Sequence, residues 1–351
     1  MTRITQRDVA KVLGVSVMTV SNAFNRPDQL SSELRERVLN RAQKMGYSGP
    51  DAIARHLRSG KTNTYAVVFE ESLSYAFSDP FSVAWLTAFA EVMQQHRASI
   101  MILSAQAAEP ESLAAIQDAA VDGVAGLCGD QPAMARARAR GLPTVYCSMG
   151  ETPDMSGDYV VIDDYAAGHE IGSHLRRLGH RHIVLIHEAV YPGQSVWTEQ
   201  PLEVFARGLE NHRDGFYPTL HRIRGIVDGL GDAKVSVVVT EMNSRVAGHT
   251  AGALVLDRKD RPTAVVAVSD VLALGVMDAC AQRGLVPGVD ISVAGFDDVP
   301  EAVIAGLTTI RQPICDKGRI AAELLLDPER PERRITLPHE LIVRSSTRPV
   351  A

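Results

Sequence analysis

Apolar positions follow two rhythms along this chain. Up to Tyr47 they recur at helical spacing; from Tyr65 onward they gather into short continuous runs separated by amphipathic stretches. Thr5-Gln6-Arg7-Asp8 fits a capping box, in which the Thr hydroxyl accepts from the amide three residues on and the Asp reaches back to the cap amide. The pattern therefore predicts a first helix with Val9, Ala10, Val12 and Leu13 on its apolar face, ended by Gly14. Ser16 caps a second helix from Val17 to Phe24. Ser31 caps a third, on which Leu34, Val38, Ala42 and Met45 recur before Gly46 stops it. Two short helices joined by a glycine turn make a helix-turn-helix candidate.

If these apolar faces share one core, the second helix is left with surplus polar residues at Ser16, Thr19, Ser21, Asn22 and Asn25. They are too short to be solvating charges and suit phosphate oxygens and base edges. The alternative is a three-helix bundle without a ligand. Pro50 to Lys61 has Pro where a first turn tolerates it and Gly60 after a helical end. A helix of that length is not stable alone in water, so a solvated linker is its alternative.

Beyond it, Tyr65–Phe69, Ser99–Leu103, Gly123–Leu127 and Pro143–Cys147 read as strands buried on both faces, with helical patterns between them. Ile183–Ile186, Ala264–Val268 and Ile291–Phe296 repeat the arrangement. Two doubly wound parallel sheets follow, with a ligand cleft expected outside the carboxyl ends of their strands.

Charge sharpens this division. The net charge of −6 over 351 residues conceals 11 basic against 5 acidic residues in the first 61, hence +6, and 25 against 37 in the remainder, hence −12. A basic head on an acidic body points to a head that meets a polyanion. The amino terminus lacks the apolar core of a signal peptide and no apolar run is long enough to span a bilayer, so a cytoplasmic protein without membrane contact is expected. Cysteines 128, 147, 280 and 315 are too scattered for a disulfide framework or a Cys-x-x-Cys site. No phosphate-binding loop, nucleophile elbow or His-Glu-x-x-His motif is present. His180, His182 and His187 near one strand read as strand-end residues rather than metal ligands. No catalytic residue, metal or cofactor is expected, and the chain does not read as an enzyme.

The run Asp8-Val9-Ala10-Lys11-Val12-Leu13-Gly14-Val15-Ser16-Val17-Met18-Thr19-Val20-Ser21-Asn22-Ala23-Phe24-Asn25, with Arg35-Glu36-Arg37-Val38 and Met45-Gly46-Tyr47, resembles the DNA-binding head of the lactose-repressor family. Asp163–Gly168, Leu178–Ile183, Ser269–Gly275, Asp290–Asp298 and Leu307–Pro313 extend the resemblance through the body. It implies a small all-α helix-turn-helix head plus an α/β effector domain of two doubly wound parallel-sheet subdomains, as in periplasmic binding proteins. The expected limits are 1–48 for the head, 49–61 for a hinge helix and 62–351 for effector binding and dimerisation. Within the last, 62–161 and 292–318 are assigned to the first subdomain, and 162–291 and 319–351 to the second.

Carried over by position, Val17, Met18 and Asn22 meet base edges, while Thr5, Ser16, Thr19, Ser21 and Asn25 meet phosphates. Val17 and Met18 offer apolar contact suited to a thymine methyl, and Asn22 can pair with adenine. In the hinge, Leu57 flanked by Arg55 and Arg58 stands where family members wedge a minor-groove step open. The effector-facing positions implied are Asp79, Phe81, Asp163, Ser269, Asp270, Phe296 and Asp297. Asp270 could equally cap the helix it opens. A departure falls at Pro201-Leu202-Glu203-Val204-Phe205, where many members carry the ligand-holding Arg of Arg-x-x-Gly-Phe. Nearby Trp197 would offer a stacking face, or pack on its own subdomain.

The resulting expectation is a sequence-specific transcription regulator, a repressor, that binds a pseudo-palindromic operator as a homodimer. Its operator affinity would be set by a small molecule, a sugar or related metabolite, in the cleft between subdomains. The alternative is a cytoplasmic solute-binding protein of the same fold without specific operator binding.

Overall fold

The computed structural model describes residues 4–49, 60–69, 71–105, 110–127, 132–147, 157–189, 194–202 and 217–350. The chain divides into two units, Met1–Thr62 and Asn63–Ala351.

In the first unit, α1 (Gln6–Leu13), α2 (Val17–Asn25) and α3 (Ser32–Lys44) bury Val9, Val20, Ala23, Val38 and Ala42 in one core. The capping box forms: the Thr5 amide donates to Asp8 Oδ2 at 2.9 Å, and the Asp8 amide to Thr5 Oγ1 at 3.4 Å. Gly14 takes φ 67°, a left-handed conformation that ends α1 and that a side chain would strain. The Phe24 and Tyr47 rings close the core edge to face, 5.7 Å apart.

The second unit is built on two sheets. The first contains β1 (Thr64–Phe69), β2 (Ser99–Ser104), β3 (Gly123–Leu127), β4 (Thr144–Tyr146), β5 (Asp158–Ile162) and β12 (Arg334–Leu337) in the order β12-β5-β4-β3-β1-β2, all parallel. Its helices include α4 (Leu73–Ala76), α5 (Pro80–Gln95), α6 (Pro110–Asp118), α7 (Pro132–Ala139) and α13 (Ile314–Leu326). Val67 and Phe69 pack with Trp85 and Phe89 of α5, while Ala66 and Val68 pack with Ile116 and Met134 on the other face. Burial on both faces explains the unbroken apolar runs.

The second sheet contains β6 (His182–Glu188), β7 (Glu199–Pro201), β8 (Lys234–Thr240), β9 (Ala264–Ala267) and β10 (Ser292–Ala294), ordered β10-β9-β6-β8-β7. It is parallel except for β7, which runs antiparallel to β8. With it lie α8 (Asp164–Arg177), α9 (Tyr217–Leu230), α10 (Arg245–Leu256), α11 (Asp270–Gln282) and α12 (Pro300–Ala305). Helices α8 and α9 touch backbone to backbone. A Cβ on Gly225 would sit 2.1 Å from the Tyr165 carbonyl oxygen, and one on Gly168 2.3 Å from that of Arg222, so only glycine permits this approach. A third, two-stranded sheet pairs β11 (Thr309–Arg311) antiparallel with β13 (Glu340–Ile342), from two of the segments that cross between the subdomains.

The division between subdomains differs from the sequence expectation. Residues 292–294 were assigned to the first subdomain, but β10 pairs with β9, Val293 against Val265, in the second sheet. Residues 319–337 were assigned to the second, yet Ile320, Ala321, Leu324 and Leu325 of α13 pack with Trp85 and Phe89, and β12 pairs with β5. The physical cause is the apolar face of α13, which the first sheet and α5 bury. The chain therefore crosses back near Gln312 rather than before β10.

Candidate functional site

Helix α2 is built for display. Ser16 caps it, accepting from the Thr19 amide at 2.9 Å, and the two hydroxyls lie 2.8 Å apart. Val17 and Met18, at its start, are 42% and 68% exposed and lie outside the head's core among the described residues. Ser21 accepts from Asn25 Nδ2 at 3.4 Å. Asn22 is half-buried and its Nδ2 donates to Gln29 Oε1 at 3.0 Å, so Gln29 fixes which edge of the Asn22 amide is offered. Sequence reasoning missed Gln29 because it lies outside the helix. Arg55, Leu57 and Arg58 lie outside the described residues.

In the body, a polar chain runs between the two subdomains. Arg222 of α9 donates from Nε to Asp164 Oδ1 at 2.7 Å and from Nη1 to the Val268 carbonyl at 3.0 Å. Its guanidinium lies 4.0 Å over the Phe296 ring and 3.7 Å from Asp297 Oδ1. Asp297 accepts from Gln312 Nε2 at 2.5 Å, and Gln312 accepts from Lys317 Nζ, on α13 of the first subdomain, at 2.6 Å. The Lys317 ammonium lies 5.7 Å from the Phe81 ring. Burial brings the Lys317 pKa down to about 8. Burial also opposes the Arg222 charge, but Asp164 and Asp297 hold it above its ordinary range. Asp297, pushed well up by burial, is drawn back by Arg222.

Asp297 and Asp298 have φ of 124° and 60°, a strained turn for residues with side chains. Asp298 pins it, accepting from Arg344 Nη2 at 2.6 Å and Arg311 Nε at 2.7 Å.

The remaining expected residues divide. Asp79 caps α5, its Oδ2 accepting from the Ser82 amide and hydroxyl at 2.9 and 2.7 Å, and burial raises its pKa. Asp163 is exposed and caps α8 through the Ala166 amide at 2.8 Å; its neighbour Asp164 is the one that meets Arg222. Asp270 is wholly buried: Oδ1 accepts from Thr309 at 2.6 Å and Oδ2 from the Val299 amide at 2.9 Å. It neither caps α11 nor faces the cleft; it ties α11 to β11 and to the start of α12. The cap is Ser269, which accepts from the Leu272 amide at 3.2 Å and donates to Asn243 Oδ1 at 2.5 Å. Asn243 in turn donates to the Tyr75 hydroxyl at 2.9 Å, a hydrogen bond between subdomains. Trp197, at φ 59°, is half-buried against the second subdomain's core, its amide bonded to the Val239 carbonyl at 2.8 Å.

Residues 5–49 match the lacI family of bacterial regulatory proteins, and residues 173–347 the periplasmic binding protein-like domain. An HTH-type transcriptional regulator of Mycobacterium tuberculosis is 38% identical over 339 residues, covering 93% of this chain and 92% of its own. The chain belongs to the lacI family of bacterial transcription regulators.

It is thus a DNA-binding regulator, and its relatives are regulators rather than enzymes. A CelR–cellobiose complex superposes with TM-score 0.65 at 25% identity, covering 98% of this chain and all of the other. The lac repressor dimer bound to operator shares the fold at 24% identity, TM-score 0.74, over 99% and 100% of the chains. The departure at Pro201 has a candidate counterpart elsewhere in the sequence. Arg222-Ile223-Arg224-Gly225 has the Arg-x-x-Gly spacing, with Ile226 in place of Phe; Gly225 packs on α8 and Arg222 lies against Phe296 and Asp297. That spacing was the available signal. Among the described residues no helix is long and apolar enough to cross a membrane, and no group of His, Cys, Asp or Glu is arranged to hold a metal.

Proposed function

We propose that this regulator is a cytoplasmic repressor that binds a pseudo-palindromic operator as a homodimer and responds to a sugar or related metabolite in the cleft. The observation that carries the effector reading is the chain Asp164–Arg222–Asp297–Gln312–Lys317, which joins both subdomains through buried polar side chains. A ligand that recruits Arg222 or Asp297 changes the partners of the group that holds Lys317, and so favours one subdomain arrangement over another. Phe81 supplies a ring face for a sugar's C–H surface, while the buried Phe296 ring orients Arg222 from below.

At the head, Val17, Met18 and Asn22 read bases, and Thr5, Ser16, Thr19, Ser21 and Asn25 position the helix on phosphates. Arg55, Leu57 and Arg58 engage the minor groove. Val246 of α10 and Ile304 of α12, 77% and 88% exposed, supply apolar surface for a partner copy. The repression test is a gel-shift titration of the full chain against its own upstream DNA, with and without a panel of sugars. The expected result is a tight, salt-sensitive, sequence-selective complex that one class of sugar shifts; binding indifferent to DNA sequence would refute it.

A further inference from the structure

Glu188, the last residue of β6, carries a carboxylate with one oxygen paired and the other not. Its Oε1 accepts from Thr219 of α9 at 2.8 Å. Its Oε2 is sealed from solvent and has no hydrogen-bond partner among the described residues. A buried carboxylate oxygen left without a donor is costly, so such an atom marks a place where something else is meant to sit.

The neighbours of Glu188 narrow what that is. It lies within electrostatic reach of Arg222 on its own subdomain and of Asp79 and Tyr75 on the other, which places it on the cleft. Arg222 does not serve it: the guanidinium is engaged by Asp164, the Val268 carbonyl and Asp297. Lys317 is committed to Gln312. Among the described residues, four carboxylates, Asp79, Asp164, Glu188 and Asp297, thus share two cations, Arg222 and Lys317. Burial raises the Glu188 and Asp79 carboxyls, with the Asp79 charge adding to the rise at Glu188.

An anionic ligand, phosphorylated or carboxylated, would add to the excess negative charge. A neutral hydroxyl would satisfy Glu188 Oε2 but leave that excess in place. A primary ammonium supplies both the donors and the missing positive charge. We infer that the effector carries a protonated amine beside its hydroxyl groups, and that the ammonium seats against Glu188 with Asp79 facing it from the other subdomain. This rests on the reading of the cleft as an effector site and specifies the ligand class.

The test is equilibrium dialysis of the full chain against matched sets: glucose, glucosamine and glucose 6-phosphate, and galactose, galactosamine and galactose 6-phosphate. It is run on the wild type and on Glu188→Gln, with operator binding as the check that each is folded. An amine held at least about tenfold more tightly than its hydroxyl counterpart is expected, since a charge-assisted hydrogen bond is worth about that much. The preference should fall below about twofold in Glu188→Gln, where the charge is gone. Tighter retention of the neutral or phosphorylated member, or a preference unchanged in the variant, would overturn the inference while leaving the effector reading intact. Specific operator binding that no member alters, with none retained, would count against the effector reading itself and the inference with it.

Discussion

Arg222, in α9, lies with its guanidinium 4.0 Å over the ring of Phe296, which follows β10. The stack fixes the plane of the guanidinium, and Asp164 fixes its rotation through the 2.7 Å hydrogen bond to Nε. Removing the guanidinium leaves two buried carboxylates short of a cation. Arg222→Ala should lower stability by about 3–5 kcal/mol, the usual result of breaking a buried pair from one side. Arg222→Lys keeps the charge but not the planar fork, and should keep most of the stability while weakening effector binding. Denaturant melts and ligand titration of the two variants separate these effects.

The strained turn at Asp297 is held by its neighbour. Asp298 grips Arg344 and Arg311, and these lie on the segments that cross between subdomains. Asp298→Ala should cost about 3 kcal/mol or more, since Arg344 is left buried without its carboxylate. It should also blunt the effector response, because Asp297 loses its fixed position. An effector response of wild-type size in a measurably destabilised variant would contradict that coupling.

Two buried groups set opposing pH slopes. Burial raises the Asp270 carboxyl from 3.8 to about 7, so its contribution to stability is full below 3.8 and is lost as pH rises through about 7. Burial lowers the His187 imidazole from 6.5 to about 4, so its contribution is full above 6.5 and is lost as pH falls through about 4. Asp270→Asn should therefore move the pH of maximum melting temperature in the alkaline direction, and His187→Gln should flatten the acid limb. Thermal melts from pH 4 to 9 at constant ionic strength read both.

At the head, the hydrogen bond from Asn22 to Gln29 couples the amide proposed to read bases to a residue outside the helix. Asn22→Ala should relax preference at one base pair per half-site, worth about 1–3 kcal/mol of discrimination. Gln29→Ala should alter preference at that same base pair, since it frees the amide to turn over. Selection from a randomised operator library should show both changes at one position; a change at different positions would break the link.

Much of the architecture was legible along the chain. The capping box at Thr5, the glycine stop at Gly14 and the serine caps at Ser16 and Ser31 are local devices, so reading them needed no neighbours. The strand runs were equally plain, because a parallel strand buried on both faces must be apolar throughout. The cleft was legible only in part. Phe81 lies near Lys317, and Phe296 and Asp297 lie against Arg222, whereas Asp79 and Asp163 cap helices and Asp270 is buried.

The sequence by itself determined the kinds of element, their order, and the family to which the head and body belong, because caps, periodicity and motif spacing are properties of neighbouring residues. Tertiary structure alone decided which carboxylate meets which cation. That choice depends on how closely α8 and α9 approach through Gly168 and Gly225, which carries Arg222 to Asp164. It depends equally on where the chain crosses back at Gln312, which brings Lys317 from the other subdomain to the same polar chain. Helix contact distance and crossover position are set by packing over long sequence separations, and no local spacing encodes them.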